Sequence, residues 1–224
     1  MAIILHIDTA LETASIALSN NGAILGTIFN DRQQDHAAWI HEAIAELVNN
    51  SGIALNKIDA IAVSIGPGSY TGLRVGLATA KGLCFSLSKP LIALPTLQII
   101  AAGVKGDADA STLICPLIDA RRMEVYTALY NSQLEEIRPA EALILSPDSF
   151  KEPLNKGKII FCGSGSPKLS SLLNNSNASF TEEAGTAAQM APLAEQKWTL
   201  KEFANLAYLE PFYLKEFYTP ERKL

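Results

Sequence analysis

Apolar positions in the first hundred residues alternate between short strand-like runs and longer stretches at helical spacing. Residues 3–7, 15–19 and 24–29 predict three strands, and Asn20-Asn21-Gly22 is a hairpin signal between the last two. A helix is predicted over 35–49, with Ala37, Ile40, Ile44, Leu47 and Val48 on its apolar face. Trp39, Glu42, Ala43, Glu46 and Asn50 lie away from that face. A β-branched run over 58–65 predicts a buried strand, followed by a glycine turn and a helix over 71–87. A strand over 91–94 ends at Pro95, and a helix follows Thr96 and closes near Gly103.

Residues 103–111 lack periodicity and form the expected boundary between residues 1–102 and 103–224. The order then repeats. Strands are predicted over 113–118, 125–130 and 134–137, a short helix from Ser146-Pro147, a strand over 158–162 and a helix from Pro167. Two correspondences mark a duplication. Asp8 and Asp119 each close the first strand of a half, and Gly66-Pro67-Gly68-Ser69 matches Gly163-Ser164-Gly165-Ser166. A repeated β-β-β-α-β-α unit predicts an α/β, two-lobed actin-like or ribonuclease H-like (ASKHA) fold, a class whose halves close on a nucleotide. Fold alone does not set function.

The stretch Gly66-Pro67-Gly68-Ser69-Tyr70-Thr71-Gly72-Leu73-Arg74-Val75-Gly76 is the densest signal. No Gly-Lys-Ser/Thr closes it, so it is not a P-loop, and its glycines are spaced too widely for a dinucleotide fingerprint. Ser69 or Thr71 supplies a helix cap. Gly72, Gly76 and Ala80 recur every four residues on one helix face, where another backbone is expected to approach closely. With Trp39 and Ala43 they form the expected partner or dimer surface, so Gly76→Leu is expected to disturb association more than folding. Asp8, Thr9, Gly66, Gly68, Asp119, Gly163 and Gly165 outline a degenerate nucleotide cleft. Neither strand-end turn contains glycine, and Glu12 adds negative charge where a phosphate would sit.

Composition narrows the chemistry. The 224 residues are 48% hydrophobic with a net charge of −5, which argues against a surface that holds nucleic acid unaided. The few clustered cations are Arg121 and Arg122, with Lys215, Arg222 and Lys223 near the C-terminus. Cys84, Cys115 and Cys162 lie in apolar runs without ligand spacing and read as buried thiols. The N-terminus reads as a strand rather than a signal peptide, and no apolar run is long enough for a membrane span. A cytoplasmic protein is expected. His36 and His41 share one helix but stand five residues apart, about 140° beyond a full turn, so they cannot grip one ion as an i,i+4 pair does. Surface or internally satisfied histidines are expected, with no metal site and no catalytic residue assigned.

Taken with Ile7-Asp8-Thr9, Lys81-Gly82-Leu83, Leu94-Pro95-Thr96-Leu97, Ile118-Asp119-Ala120-Arg121 and Glu210-Pro211-Phe212-Tyr213-Leu214-Lys215, the glycine stretch resembles the TsaB (YeaZ) family. The resemblance covers nearly the whole chain and is strongest over residues 1–102. It implies a non-catalytic accessory subunit that supports TsaD in threonylcarbamoyl transfer to adenosine 37 of tRNA. TsaE, a small ATPase, is a further implied partner. ATP and metal would enter through the partners, tRNA only through the complex, and the chain alone would form a homodimer. TsaD carries a His-x-x-x-His metal pair on its first-lobe helix, where this chain has the misspaced His36 and His41. Peptidase M22-like labels for such proteins gain no support from that spacing. The competing reading is an autonomous small-molecule kinase or ATPase of the actin-like fold.

Overall fold

The strand periodicity at the N-terminus becomes an antiparallel meander, β1 (Ile3–Asp8), β2 (Ala14–Asn20) and β3 (Ala23–Asn30), in a computed structural model that describes residues 2–32 and 35–215. Helix α1 (His36–Ser51) leads to β4 (Ala60–Ser64), α2 (Tyr70–Leu87) to β5 (Leu91–Leu94), and α3 (Thr96–Gly103) closes the first half. The sheet order is β3-β2-β1-β4-β5, with β4 and β5 parallel to β1.

The second half repeats this plan. Strands β6 (Leu113–Asp119), β7 (Glu124–Tyr130) and β8 (Glu136–Ile144) form the meander. Helix α4 (Lys151–Lys156), β9 (Ile159–Cys162), α5 (Ser166–Ser170), β10 (Ala178–Phe180) and α6 (Met190–Leu200) follow. The order β10-β9-β6-β7-β8 is the same sheet read from the other edge.

Three differences from the sequence reading have local causes. Strand β8 begins later and runs far longer than 134–137, because Asn131 spends its side chain on the Gln133 and Glu135 amides and holds the turn there. Ser146 does not start a helix. Its amide and hydroxyl bond Ser149 Oγ in a closed turn, and α4 starts at Lys151. Strand β10 and α6 carry no periodicity strong enough to predict them.

Each sheet buries one face under its own helices. In the first lobe Leu5, Ile7, Ile16, Leu18, Ile61 and Val63 pack against Ile40, Ile44 and Leu47 of α1 and Leu77 and Ala80 of α2. In the second, Cys115, Leu117, Val125 and Phe161 pack with Leu154 and Leu169. The inner faces share a third core, in which Ile4, Ile92 and Leu94 join Ile114, Ile118, Tyr130 and Ile160. The final helices are exchanged across this core: α3 packs on β6 and β7, and α6 packs on β1, β4 and β5. Full burial of each such aliphatic side chain contributes about 1.5–3 kcal/mol.

After α6 the chain returns over the first lobe. Ala204 pairs with Leu91 at the β5 edge, its N–H donating to the Leu91 carbonyl at 2.8 Å. Leu206 and Leu209 pack on the first-lobe core, and the Phe212 N–H donates to the Ile65 carbonyl at 2.7 Å. No helix among the described residues is long and apolar enough to cross a membrane. Arg222 and Lys223 lie outside the described residues.

Candidate functional site

Between the lobes lies a cavity of 1330 Å³. Its first-lobe wall is the β1–β2 turn (Ala10, Leu11, Glu12, Thr13), Phe29, His36 and the start of α2 from Gly68 to Gly72. Its second-lobe wall is Ile118 to Arg121, Tyr126, Ser164 and the 183–189 loop. The Ser69 hydroxyl caps α2 by accepting from the Gly72 N–H at 3.2 Å.

Most of the sequence-predicted cleft residues are consumed by the fold itself. The buried Asp8 carboxylate accepts from Ser64 Oγ at 2.7 Å and from the Ala10 N–H at 3.1 Å. Burial raises its pKa against the opposing effect of those bonds. Thr9 is fully buried, and its hydroxyl donates to the Gly72 carbonyl at 2.7 Å. A Cβ on Gly68 would collide with the Ala10 carbonyl, one on Gly66 with the Phe212 carbonyl and one on Gly163 with the Leu117 carbonyl. A Cβ on Gly165 would press on Val125 and Leu117. The spaces these glycines leave are filled by the protein's own chain, not held open for a phosphate. Of the seven predicted cleft residues only Gly68 and Asp119 line the cavity.

Asp119 is paired as well. Lys168 Nζ lies 2.6 Å from its Oδ1, which also accepts from the Arg121 N–H at 2.6 Å. Partial burial alone would raise this carboxyl, but those two hydrogen bonds and the Lys168 charge hold it below the usual range. Glu12 adds a further carboxylate to the cavity wall. His36 is buried and His41 is exposed, and no group of three His, Cys, Asp or Glu among the described residues could hold an ion.

The expected partner face is corrected by packing. Ala43 is buried beside Ile40 and Ile44, so it belongs to the core, whereas Ala37 is exposed. Gly72 and Gly76 meet Thr9 and Ile7 of their own lobe, and Ala80 is fully buried. The close backbone that the small-residue row predicted is the chain's own first turn. Trp39 is half-buried against the first-lobe core. Among the side chains α2 presents outward are Arg74, Ala78 and Phe85, the last 80% exposed.

Several lining residues escape the sequence reading. His36, expected to be exposed or satisfied, is buried with Nδ1 3.3 Å from Asn30 Nδ2 and with Nε2 unpartnered. Phe29 sits on an edge strand where alternation alone does not reveal a cleft. Gly185 has φ +69°, and a Cβ there would strike the Ile99 carbonyl, so the glycine is a signal for the 183–189 loop.

The chain is similar to known proteins along nearly its whole length. Residues 23–209 match the family model TsaD: tRNA N6-adenosine threonylcarbamoyltransferase. The tRNA threonylcarbamoyladenosine biosynthesis protein TsaB of Bacillus subtilis is 32% identical over 222 residues, covering 95% of this chain and 93% of that protein. The structure of YeaZ from Pseudomonas aeruginosa superposes with a TM-score of 0.81 at 28% identity, over 96% of this chain and all of the other. At 9% identity and a TM-score of 0.51, an ADPNP-bound dehydratase activator from Clostridium difficile shares the actin-like fold alone, over 91% of this chain and 98% of that one.

Proposed function

The chain belongs to the TsaB (YeaZ) family of tRNA threonylcarbamoyladenosine biosynthesis proteins, and from that premise we propose that it is a non-catalytic subunit that scaffolds and activates TsaD. The observation that carries this reading is the fate of the two strand-end carboxylates. An active member of the fold would place them at a phosphate or a metal. Here Asp8 is buried on Ser64 and the Ala10 amide, and Asp119 is neutralised by Lys168. Asp8 lies outside the cavity wall, and Asp119 Oδ1 is already held by Lys168 and the Arg121 amide. A role through association remains, with TsaD and TsaE as partners, ATP and metal held by those partners, and tRNA reached through the assembly in the cytoplasm. Self-association of the isolated chain belongs to the same proposal, with Trp39 and the exposed Phe85 on the first-lobe helices as its surface.

The test is transfer of threonylcarbamoyl to tRNA by TsaD and TsaE with and without this chain. Transfer should need the chain, and the chain alone should transfer nothing and cleave no peptide. Transfer by the isolated chain above a boiled control would overturn the reading. The kinase or ATPase alternative predicts tight ATP–Mg binding by the chain alone, which titration calorimetry measures directly.

A further inference from the structure

We propose that the mouth of the interlobe cavity is an RNA-contacting surface, on which Arg74, Arg121 and Arg122 meet tRNA phosphates while Tyr213, exposed and backed by Tyr70, presents its outer face to an unpaired base. The inference rests on the reading above, that the chain works in a tRNA-modifying assembly.

Arg121 and Arg122 form the tip of the β6–β7 hairpin, and both are exposed. Both hold left-handed backbone, with φ of +69° and +48°, a conformation that non-glycine residues seldom adopt. The turn is fixed from below. The Arg121 N–H donates to Asp119 Oδ1, the Ala120 N–H to the Glu124 carbonyl at 3.0 Å, and the Glu124 N–H to the Arg121 carbonyl at 3.1 Å. Unfavourable backbone kept in place by its surroundings points to a use for the side chains it displays.

On the first lobe the Arg74 guanidinium lies 4.1 Å from the Tyr70 ring centroid, and its Nε donates to the Tyr213 hydroxyl at 3.3 Å. The two tyrosine rings stand 5.0 Å apart at 31°. Aromatic faces braced by a cation are the platforms on which proteins stack unpaired bases. The two groups share one surface. Tyr70 and Arg121 line the same cavity, and two residues beyond Tyr213 the Lys215 ammonium pairs with Glu124 at the foot of the arginine turn.

Charge favours a phosphate. Lys168 pairs with Asp119, Lys215 pairs with Glu124, and none of the three arginines enters an ion pair among the described residues. Glu12 and Glu183 on the cavity wall repel a phosphate from the interior, so the strand rides across the mouth. An acidic protein would use the arginines but has no need of the exposed Tyr213 face.

The experiment measures tRNA binding by the assembly of this chain with TsaD across a salt series. One variant carries Arg121→Gly and Arg122→Gly, because glycine accepts the left-handed backbone and keeps the turn. A second carries Arg74→Gln and Tyr213→Leu. A control carries Lys151→Gln and Lys156→Gln, the same charge change on α4. The first variant should weaken binding about tenfold and lower the slope of log K against log salt by roughly 1.4, about 0.7 for each single-strand phosphate that is no longer neutralised. The second should weaken binding with a smaller slope change, and the control should match wild type. Unchanged affinity and slope in both test variants, with wild type still stimulating transfer, would overturn the inference alone. Loss of TsaD from the first variant in pull-down, with tRNA affinity kept, would assign the patch to an acidic protein and also overturn it. A wild-type chain that neither joins TsaD nor stimulates transfer would overturn the underlying reading, and the inference with it.

Discussion

Gly72 and Thr9 interlock: the Thr9 hydroxyl donates to the Gly72 carbonyl at 2.7 Å, and a Cβ on Gly72 would overlap the Thr9 carbonyl oxygen. The contact joins the end of the central strand to the first turn of α2. It explains why the glycine stretch reads so strongly in the sequence, since this strand–turn–helix junction leaves no room for a side chain.

Gly72→Ala is therefore expected to destabilise the fold by about 1–3 kcal/mol, the usual cost of overpacking. For a chain of this size each kcal/mol shifts Tm by about 2–4 °C. Gly76→Leu, driven into Thr9 and Ile7, should lose its far-UV helix signal. A Gly76→Leu protein that stays folded and only loses TsaD would restore the partner-face interpretation of this row.

Ser69→Ala removes the cap on the Gly72 amide and should cost about 1 kcal/mol. The loss should appear as a Tm lower by about 2–4 °C, with Ser69→Asn recovering most of it. Equal melting of wild type and Ser69→Ala would show that the cap contributes nothing.

Acid should unfold the protein partly through His6. The imidazole is buried in β1, with Nε2 2.7 Å from Ser19 Oγ and Nδ1 unpartnered, and burial pushes its pKa down to about 3. The unfolded chain takes up the proton near pH 6.5, so the native state loses about 1.4 kcal/mol per pH unit from there toward pH 3. Asp8 works in the opposite sense in the range from 3.8 up to its raised pKa, where the native state holds a proton that the unfolded chain has already lost, and so offsets part of this slope. Urea midpoints between pH 7 and pH 4 should fall steadily in wild type, and His6→Gln should flatten that slope.

Gly66→Ala should loosen the returning C-terminal segment. Gly66 has φ +118°, and a Cβ there would strike the Phe212 carbonyl. Limited proteolysis should then cut within 201–215 at protease levels that leave wild type whole. An unchanged digestion pattern would mean that the segment is held by Ala204, Leu206 and Leu209 alone.

The sequence reveals the duplication because each half carries its own punctuation: an aspartate at the end of β1 and β6, and a glycine turn after β4 and β9. Strand and helix periods are clear wherever one face is buried and the other wet. They fail at β10, which is three residues long, at α6, which buries only Met190, Ala191, Leu193 and Ala194 near its start, and at β8, whose start is set by Asn131. The cavity is only half legible. Its glycines can be found, but not whose backbone fills the space beside them, which depends on pairs far apart in sequence such as Gly66 and Phe212. His36 is misjudged because helical position gives its direction but not what Asn30 and Trp39 do around it.

The exchange of α3 and α6 gives this single chain the interior of a symmetric pair. Two half-length copies, each lending its last helix to the other's sheet, would build the same central core, and the 104–112 connection serves as a covalent tether between them. Neither half is self-sufficient, because either one alone would present the stripped inner face of its sheet to water. The heat-absorption profile should accordingly show one peak rather than two. A calorimetric enthalpy equal to the van't Hoff value would mark the two lobes as one cooperative unit.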